Sequence, residues 1–160
     1  MQLRLRLTLL NQWEINRVDM SKKIIGYTAG VYDMFHIGHL NVIRNAKARC
    51  DYLIVGVSTD EVVEKNKNKK PIIPYEERAA IVSAIKYVDK VIPQTRYDIE
   101  GKIETVKNNG IDVMFVGSDW QGTEKWNKIE EELDKIGCKV VYLPHTDGIS
   151  STILRNKIRD

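Results

Sequence analysis

The feature that most constrains this chain is an apolar run that ends in glycine and leads into two histidines. Residues 24–29 have the length and composition of a buried β-strand, Gly30 ends the run, and helical spacing begins near Gly38. His36 and His39 stand three positions apart, so they lie one helical turn apart and face the same way. A strand, a tight turn and a helix start form a place where α/β proteins bind phosphate. We therefore predict an anion site with two imidazole donors, where Gly38 lets phosphates approach the backbone. The alternative is a chance pair of histidines at a helix start.

Strand-like and helical patterns alternate along the rest of the chain. The apolar runs are short, end at turn residues, and are followed by segments of helical spacing. This alternation predicts an α/β fold: a Rossmann-like, doubly wound, five-stranded parallel sheet with helices on both faces. Ligands of such sheets bind outside the carboxyl ends of the strands, where the histidine turn lies. The predicted strands cover 24–29, 52–57, 88–92, 112–116 and 139–143, and the predicted helices cover 38–49, 75–86, 99–109, 123–136 and 150–159.

A polar segment with several lysines follows the second predicted strand. Residues 59–74 contain Lys65, Lys67, Lys69 and Lys70 among asparagines and end at a proline. This composition predicts a long loop. Because the loop leaves the same sheet edge as the histidine turn, we favour a flexible anion clamp over a merely solvated run of charge.

The fifth predicted strand is followed by a turn rich in hydroxyl groups. Gly148 allows a sharp turn, and Ser150 and Ser151 are typical helix caps that leave backbone N–H groups available. Taken alone, the motif is also consistent with an ordinary helix cap. Its position at the same sheet edge as the histidines favours a second phosphate site.

Length, charge and cysteine content narrow the classes of function. With 160 residues the chain has the length of one domain, predicted to cover residues 23–160, while residues 1–22 are predicted to be a poorly ordered extension or a non-native start. The net charge of +3 is too small to indicate a nucleic-acid partner. The chain has no apolar run of membrane-spanning length, and its two cysteines lack metal-binding spacing. We therefore expect no membrane association and a cytoplasmic location.

Two motifs of this chain resemble the signatures of the glycerol-3-phosphate type of cytidylyltransferase. They are the His-x-Gly-His turn at residues 36–39 and the Gly-Ile-Ser-Ser-Thr stretch at 148–152. The resemblance spans residues 23–159. Its other matching segments are residues 51–55, 58–61, 75–78, 87–89, 111–113, 119–120 and 141–144.

The resemblance implies transfer of CMP from CTP to a small phosphorylated alcohol, by direct attack of the acceptor phosphate on the α-phosphorus, with release of pyrophosphate. It also implies a homodimer, Mg²⁺ that arrives with CTP, and a role of the product CDP-glycerol in cell-surface polymer biosynthesis. Glycerol-3-phosphate is the first candidate acceptor, and glycerol-2-phosphate, ethanolamine-phosphate and choline-phosphate are alternatives. An adenylyltransferase of the same fold that uses ATP and a non-catalytic nucleotide-binding scaffold are the competing hypotheses.

The resemblance also implies roles for matching positions. No residue is assigned as a metal ligand. Catalytic roles are implied for His36, His39, Asp33 and Lys67, and acceptor binding for Lys67, Lys69, Asp60 and Lys86. The positions implied to bind the nucleotide are Ala29, Gly30, Val31, Tyr32, His36, His39, Arg78, Gly117, Asp119, Trp120, His145, Thr146, Gly148, Ile149, Ser150 and Ser151.

The chain departs from the family pattern at several of these positions. His145 stands where the C-terminal signature opens with arginine, and Asp147 stands where that signature has glutamate. Lys86 replaces a second arginine that follows Arg78 in the family. Imidazole, ammonium and guanidinium groups bind oxygen atoms differently, so these departures leave the identity of the acceptor open.

Overall fold

The structure is a computed structural model that describes residues 22–159. The extension predicted for residues 1–22 therefore lies, apart from Lys22, outside the described residues. Strands and helices alternate, with a short 3-10 turn at Ser118–Trp120. The strands are β1 (Ile25–Gly30), β2 (Tyr52–Ser58), β3 (Lys90–Gln94), β4 (Val113–Gly117) and β5 (Lys139–Leu143). The helices are α1 (Ile37–Lys47), α2 (Asp60–Lys67), α3 (Tyr75–Ser83), α4 (Ile99–Asn109), α5 (Glu124–Lys135) and α6 (Ser151–Arg159).

The five strands form one parallel sheet in the order β3-β2-β1-β4-β5. Central β1 pairs with β2, where Thr28 faces Val55, and with β4 on its other side, where Thr28 faces Phe115. After β3 the chain crosses back through α4 and continues beside β1, so the direction of winding reverses between β1 and β4. In open α/β sheets this reversal leaves a crevice at the carboxyl ends of the strands. The predicted doubly wound parallel sheet is confirmed.

Helices cover both faces of the sheet, as predicted. On one face α4 and α5 bury Val106, Ile129 and Leu133 against the strands. On the other face α1 and α3 contribute Ile43 and Val82, both fully buried. Strands that are covered on both faces need continuous apolar runs, which is the pattern visible in the sequence. Within residues 22–159, none of the helices combines the length and the apolar character that crossing a membrane requires.

The lysine-rich segment differs from its prediction, because its first half is a helix. Helix α2 occupies Asp60–Lys67, where the polar composition predicts a loop. Thr59 caps the helix by accepting a hydrogen bond from the Val62 backbone N–H at 3.4 Å, and Asn68 ends it with a left-handed φ of 54°. Val62 and Val63 are buried, and this packing stabilises a helix too short and too polar to persist alone.

Several element boundaries also differ from prediction, and two of them concern residues discussed in the sequence. Strand β3 includes Pro93, which is predicted to end it, and continues to Gln94. Because β3 lies at the edge of the sheet, a residue without an N–H group can occupy it without breaking the ladder. Helix α3 ends at Ser83 instead of residue 86, which leaves Lys86 in the turn that precedes β3.

Candidate functional site

The two histidines cap the N-terminus of α1 through reciprocal hydrogen bonds. His36 Nδ1 accepts from the Gly38 backbone N–H at 3.0 Å, and His39 Nδ1 accepts from the His36 backbone N–H at 3.3 Å. A neutral imidazole whose Nδ1 accepts carries its proton on Nε2. Each ring therefore presents one N–H donor, and the two rings stack with their centroids 3.8 Å apart.

Both imidazoles are held in the neutral form. Burial lowers the pKa of His39 to about 4, with a smaller contribution from His36 in the same direction and an opposing one from Asp33. Burial also lowers the pKa of His36. Two protonated rings at this distance would repel each other. At pH 7 the pair therefore supplies neutral hydrogen-bond donors.

Gly38 provides the space in which this cap forms. A Cβ at residue 38 would lie 2.8 Å from His36 Cε1 and 2.9 Å from its Nδ1. The same atom would lie 3.4 Å from Cγ2 of Ile149, so the C-terminal motif reaches the start of α1. The sequence suggests that glycine here lets phosphates approach the backbone. The structure adds that it makes room for the His36 ring.

The turn between β1 and α1 packs against the histidine pair through Tyr32. Tyr32 and Met34 adopt left-handed backbone conformations, with φ of 56° and 49°. The Tyr32 side chain is buried, and a Cβ at Gly30 would lie 3.2 Å from its ring. The Tyr32 ring meets the His39 ring edge-on, with 5.3 Å between the centroids. The bulk of Tyr32 therefore fixes one side of the His39 imidazole.

A buried carboxylate joins three parts of the site. Asp33 is 1% exposed and accepts hydrogen bonds from the backbone N–H groups of Ile72 at 2.8 Å and Ile73 at 2.9 Å, and from the Arg155 guanidinium at 2.6 Å. Burial alone would raise the pKa of Asp33, but these three donors outweigh it and hold the pKa below its usual value. Ser151 Oγ donates to the Asp33 backbone carbonyl at 2.7 Å. The β1–α1 turn, the loop after α2 and helix α6 therefore meet at Asp33.

A cavity of about 430 Å³ opens beside His39 at the carboxyl ends of β1 and β4. This volume lies within the range of small-molecule sites. Eleven residues predicted for the site line it, and they come from the β1–α1 turn, the end of α2 and the loop after it, the end of β4, and the start of α6. They are Ala29, Gly30, Val31, Tyr32, Asp33, His39, Lys67, Lys69, Gly117, Trp120 and Ser151.

The cavity lining is strongly cationic. Burial lowers the pKa of Lys67, and the neighbouring charges of Lys69 and Arg155 lower it further. Burial also lowers the pKa of Lys102 to about 8. Closely placed cations whose charge is disfavoured by burial gain from an anion bound between them. Among residues 22–159, the cationic residues of the lining are Lys67, Lys69, Lys70, Lys102 and Arg155, against the single carboxylate of Asp33.

Arg78 is buried and does not line the cavity. Its buried guanidinium donates to the backbone carbonyls of Ile73 at 2.8 Å, Val31 at 2.6 Å and Ser58 at 2.8 Å, and to the Asp60 carboxylate at 2.6 Å. The residue predicted to bind phosphates and the residue predicted to bind the acceptor are therefore engaged with each other. They brace the turns after β1 and β2 against the loop that precedes α3.

Besides Arg78 and Asp60, eight predicted site residues lie outside the cavity lining, namely His36, Lys86, Asp119, His145, Thr146, Gly148, Ile149 and Ser150. Lys86 stands before β3, at the amino ends of the strands and thus opposite the crevice, with Nζ 5.1 Å from the ring centroid of Tyr87. The structure does not bring Lys86 to the site. His145 Nδ1 and Asp119 Oδ2 are 3.6 Å apart on the turns after β5 and β4, and both side chains are exposed. That pair lies at the carboxyl ends of the strands.

The turn before α6 is attached to α1 and caps its own helix. Thr146 Oγ1 accepts from Asn41 Nδ2 at 2.9 Å, which ties the two segments together. Ser150 Oγ accepts from the Ile153 backbone N–H at 3.1 Å, as in an ordinary helix cap. Gly148 adopts the left-handed φ of 77° that the sharp turn requires. Of the two serines, Ser150 caps the helix, whereas Ser151 lines the cavity.

Two cationic residues of the cavity were not predicted from the sequence. Lys102 lies in the first half of α4, where its Nζ donates to the Tyr97 backbone carbonyl at 3.2 Å and lies 5.4 Å from the ring centroid of Trp126. Arg155 is the central residue of α6. Neither belongs to a motif, and a basic residue on a helix is usually exposed to solvent. The available signal is their position in helices that follow the carboxyl ends of strands.

Comparison with known proteins identifies relatives of most of the described region. The family model described as cytidylyltransferase-like matches residues 27–157. The chain is 40% identical over 137 residues to the glycerol-3-phosphate cytidylyltransferase of Bacillus subtilis (strain 168), covering 86% of this chain and 97% of that protein. It is 38% identical over 128 residues to an FAD synthase of Thermococcus kodakarensis, covering 78% of this chain and 82% of that protein.

A solved structure gives the same architecture. The crystal structure of a lipopolysaccharide core biosynthesis protein from Thermoplasma volcanium GSS1 superimposes with a TM-score of 0.64 and 27% sequence identity. The superposition covers 78% of this chain and 98% of that one. Likeness at this level supports the nucleotidyltransferase-like arrangement of strands and helices described above.

Proposed function

The chain belongs to the cytidylyltransferase-like family, and we propose that it transfers CMP from CTP to a small phosphorylated alcohol, with glycerol-3-phosphate as the first acceptor. The products are CDP-glycerol and pyrophosphate. The observation that carries the proposal is the pair of neutral imidazole donors at the start of α1, beside a cavity lined by cations. Such a set of donors suits a triphosphate and the charge that grows on its leaving group.

The proposed reaction is a single displacement. A phosphate oxygen of the acceptor forms a bond to the α-phosphorus of CTP, while the bond from that phosphorus to the bridging oxygen breaks. Pyrophosphate leaves with the electron pair. The protein's task is to hold two anions together and to stabilise the charge that develops. Loss of one well-placed donor in such a site typically lowers turnover by about 10²–10³.

His36, which neighbours the cavity through its stacking on His39, and the residues that line the cavity divide this task. We propose that the Nε2–H groups of His36 and His39 contact the phosphates that leave as pyrophosphate. Lys67 and Lys69, which line the cavity, neutralise the phosphates. Trp120 lines the cavity at the end of β4 and is 52% exposed, which gives the cytidine half of CTP an aromatic surface.

We propose that the acceptor's phosphate binds near Lys102. Lys102 lines the cavity, whereas Lys86 lies at the other end of the sheet. A partly desolvated ammonium is well suited to a phosphate monoester, because ion pairing is strengthened where water is scarce. Lys67 and Lys69, shared by both substrates, would draw the two anions together.

Mg²⁺, the homodimer and the cellular setting remain proposals. Among residues 22–159 no group of three His, Cys, Asp or Glu side chains is arranged to hold a metal ion. We propose that Mg²⁺ arrives with CTP and is held by its phosphates. Cys50 and Cys138 are buried in clusters on opposite faces of the sheet. The cytoplasmic location remains part of the proposal. The homodimer, and the use of CDP-glycerol in surface polymers, rest on the family resemblance.

The test is release of pyrophosphate with Mg²⁺, crossing CTP and ATP against glycerol-3-phosphate, glycerol-2-phosphate, ethanolamine-phosphate and choline-phosphate. We expect release with CTP and glycerol-3-phosphate, and loss of release in His39→Ala. Turnover with CTP and a different alcohol would correct the acceptor and keep the reaction. Turnover with ATP alone would favour an adenylyltransferase, as the similarity to an FAD synthase allows. Absence of release with every pair would refute catalysis and favour a nucleotide-binding scaffold.

A further inference from the structure

We propose that Arg155 is a positioning residue, which fixes the loop of residues 68–74 by holding the Asp33 carboxylate to which that loop is bound. The loop follows Lys67 and carries Lys69 and Lys70. The consequence for turnover rests on the proposed function, whereas the positioning itself is a property of the ligand-free protein.

The contacts of Asp33 make the link direct. Arg155 Nη2 lies 2.6 Å from Asp33 Oδ2, and the same oxygen accepts a hydrogen bond from the Ile72 backbone N–H at 2.8 Å. Asp33 Oδ1 accepts the Ile73 backbone N–H at 2.9 Å. The exposed side-chain fractions are 1% for Asp33 and 19% for Arg155. A carboxylate this buried needs a counter-charge in addition to two neutral donors, and Arg155 is the cation in contact with it.

The backbone N–H groups at the end of this loop depend on this one carboxylate, while the Ile73 carbonyl accepts from Arg78. Residues 71–74 read Pro-Ile-Ile-Pro, so Ile72 and Ile73 carry the only backbone N–H groups among them. Both of those groups donate to Asp33. The other end of the loop begins at Asn68, where α2 ends in a left-handed residue. Between these two ends stand Lys69 and Lys70, whose positions in the cavity follow from the loop's anchoring.

The competing role for Arg155 is direct contact with a substrate phosphate, since the residue also lines the cavity. The two roles differ in the absence of substrate. A residue that only binds phosphate would leave the Ile72 and Ile73 amides unchanged when it is replaced. A positioning residue would release them, because the charge-assisted network that holds them is weakened.

Amide hydrogen exchange of the ligand-free protein, read by NMR or by mass spectrometry of a peptide spanning 71–74, tests the proposal. We expect Arg155→Met to speed exchange at Ile72 and Ile73 by about tenfold or more, while Arg155→Lys retains part of the protection. Arg159→Met removes an exposed arginine of the same helix and should leave both amides as in the unmodified protein. The amide of Val55, a buried β2 residue, reports whether any variant has loosened as a whole.

Steady-state kinetics provide a second readout. The double variant Arg155→Met/Lys69→Ala should lose less kcat/KM than the product of the fold-losses of the two single variants. Both changes act through the same loop, so their effects are not independent. Unchanged exchange at Ile72 and Ile73 in Arg155→Met would overturn the proposal, whether or not turnover falls. Faster exchange in a protein that shows no transferase activity would uphold the positioning role and refute the proposed function separately.

Discussion

Replacement of Gly38 by alanine should lower kcat strongly while leaving the free energy of unfolding nearly unchanged. The added Cβ would lie 2.8 Å and 2.9 Å from two atoms of the His36 imidazole, so the ring must leave the position in which it caps α1. The ring is the end of a side chain that can rotate toward solvent. The protein therefore relieves the clash by moving His36 rather than by distorting the backbone.

The free energies of this change nearly cancel. Loss of a helix cap costs about 0.5–2 kcal/mol. Alanine in place of glycine inside a helix contributes about 1 kcal/mol in the opposite direction. The free energy of unfolding should thus change by about 1 kcal/mol or less, whereas displacement of one imidazole donor should lower kcat by about 10²–10³.

The assay pairs urea unfolding with pyrophosphate release on the same preparations. His36→Asn is the matched control, since asparagine is a good helix cap but lacks the imidazole, so it should keep the stability and lose the activity. Wild-type kcat in Gly38→Ala would refute the role assigned to the ring. A loss of several kcal/mol of stability would refute the cancellation.

Three further predictions concern charge. The folded-state pKa of His39 is about 4 against 6.5 for an unperturbed histidine, so the unfolded chain takes up its proton first as pH falls, and the free energy of unfolding should drop by on the order of 3 kcal/mol between pH 7 and pH 4. Urea titrations across that range should show a smaller drop in His39→Gln, and an equal drop would contradict the burial described. The pKa of Lys102 is about 8, so its ammonium loses its proton above that pH. The kcat/KM for the acceptor should therefore decline above pH 8 in the wild type and stay level to about pH 9 in Lys102→Arg. Parallel profiles would remove Lys102 from the acceptor site. Arg78→Met removes the donor of three backbone carbonyls and the cation paired with Asp60, so thermal or urea unfolding should reveal a loss of about 3 kcal/mol, partly restored in Arg78→Lys. A stable Arg78→Met variant with impaired CTP binding would return Arg78 to the role of a phosphate ligand.

The sheet could be predicted from the sequence because its strands are buried on both faces and appear as continuous apolar runs. Helix α2 could not, since a short helix rich in lysine and asparagine has little intrinsic stability. What stabilises it is the burial of Val62 and Val63, a tertiary contact. The boundary at Pro93 was wrong for a similar reason, because whether proline ends a strand depends on whether the strand lies at an edge.

The histidine turn could be predicted because its residues are close together in the sequence. Asp33 and Arg155 meet across 122 positions, and no local pattern reveals such a pair. Arg78 illustrates the opposite difficulty. A motif can predict which residue matters without showing whether its guanidinium faces a ligand or, as here, the protein's own carbonyls.

Pro93 has a consequence for how this protein meets other copies of itself. An outermost strand normally offers its unused N–H and C=O groups to any extended segment that approaches, and this is a route to aggregation. In β3 the ladder partner of Val57 is Pro93, which has no N–H group to offer. A strand from another molecule that paired with the outer edge of β3 would find no N–H donor at Pro93, near the carboxyl end of β3. The outer side of β3 is therefore a poor template for intermolecular sheet growth.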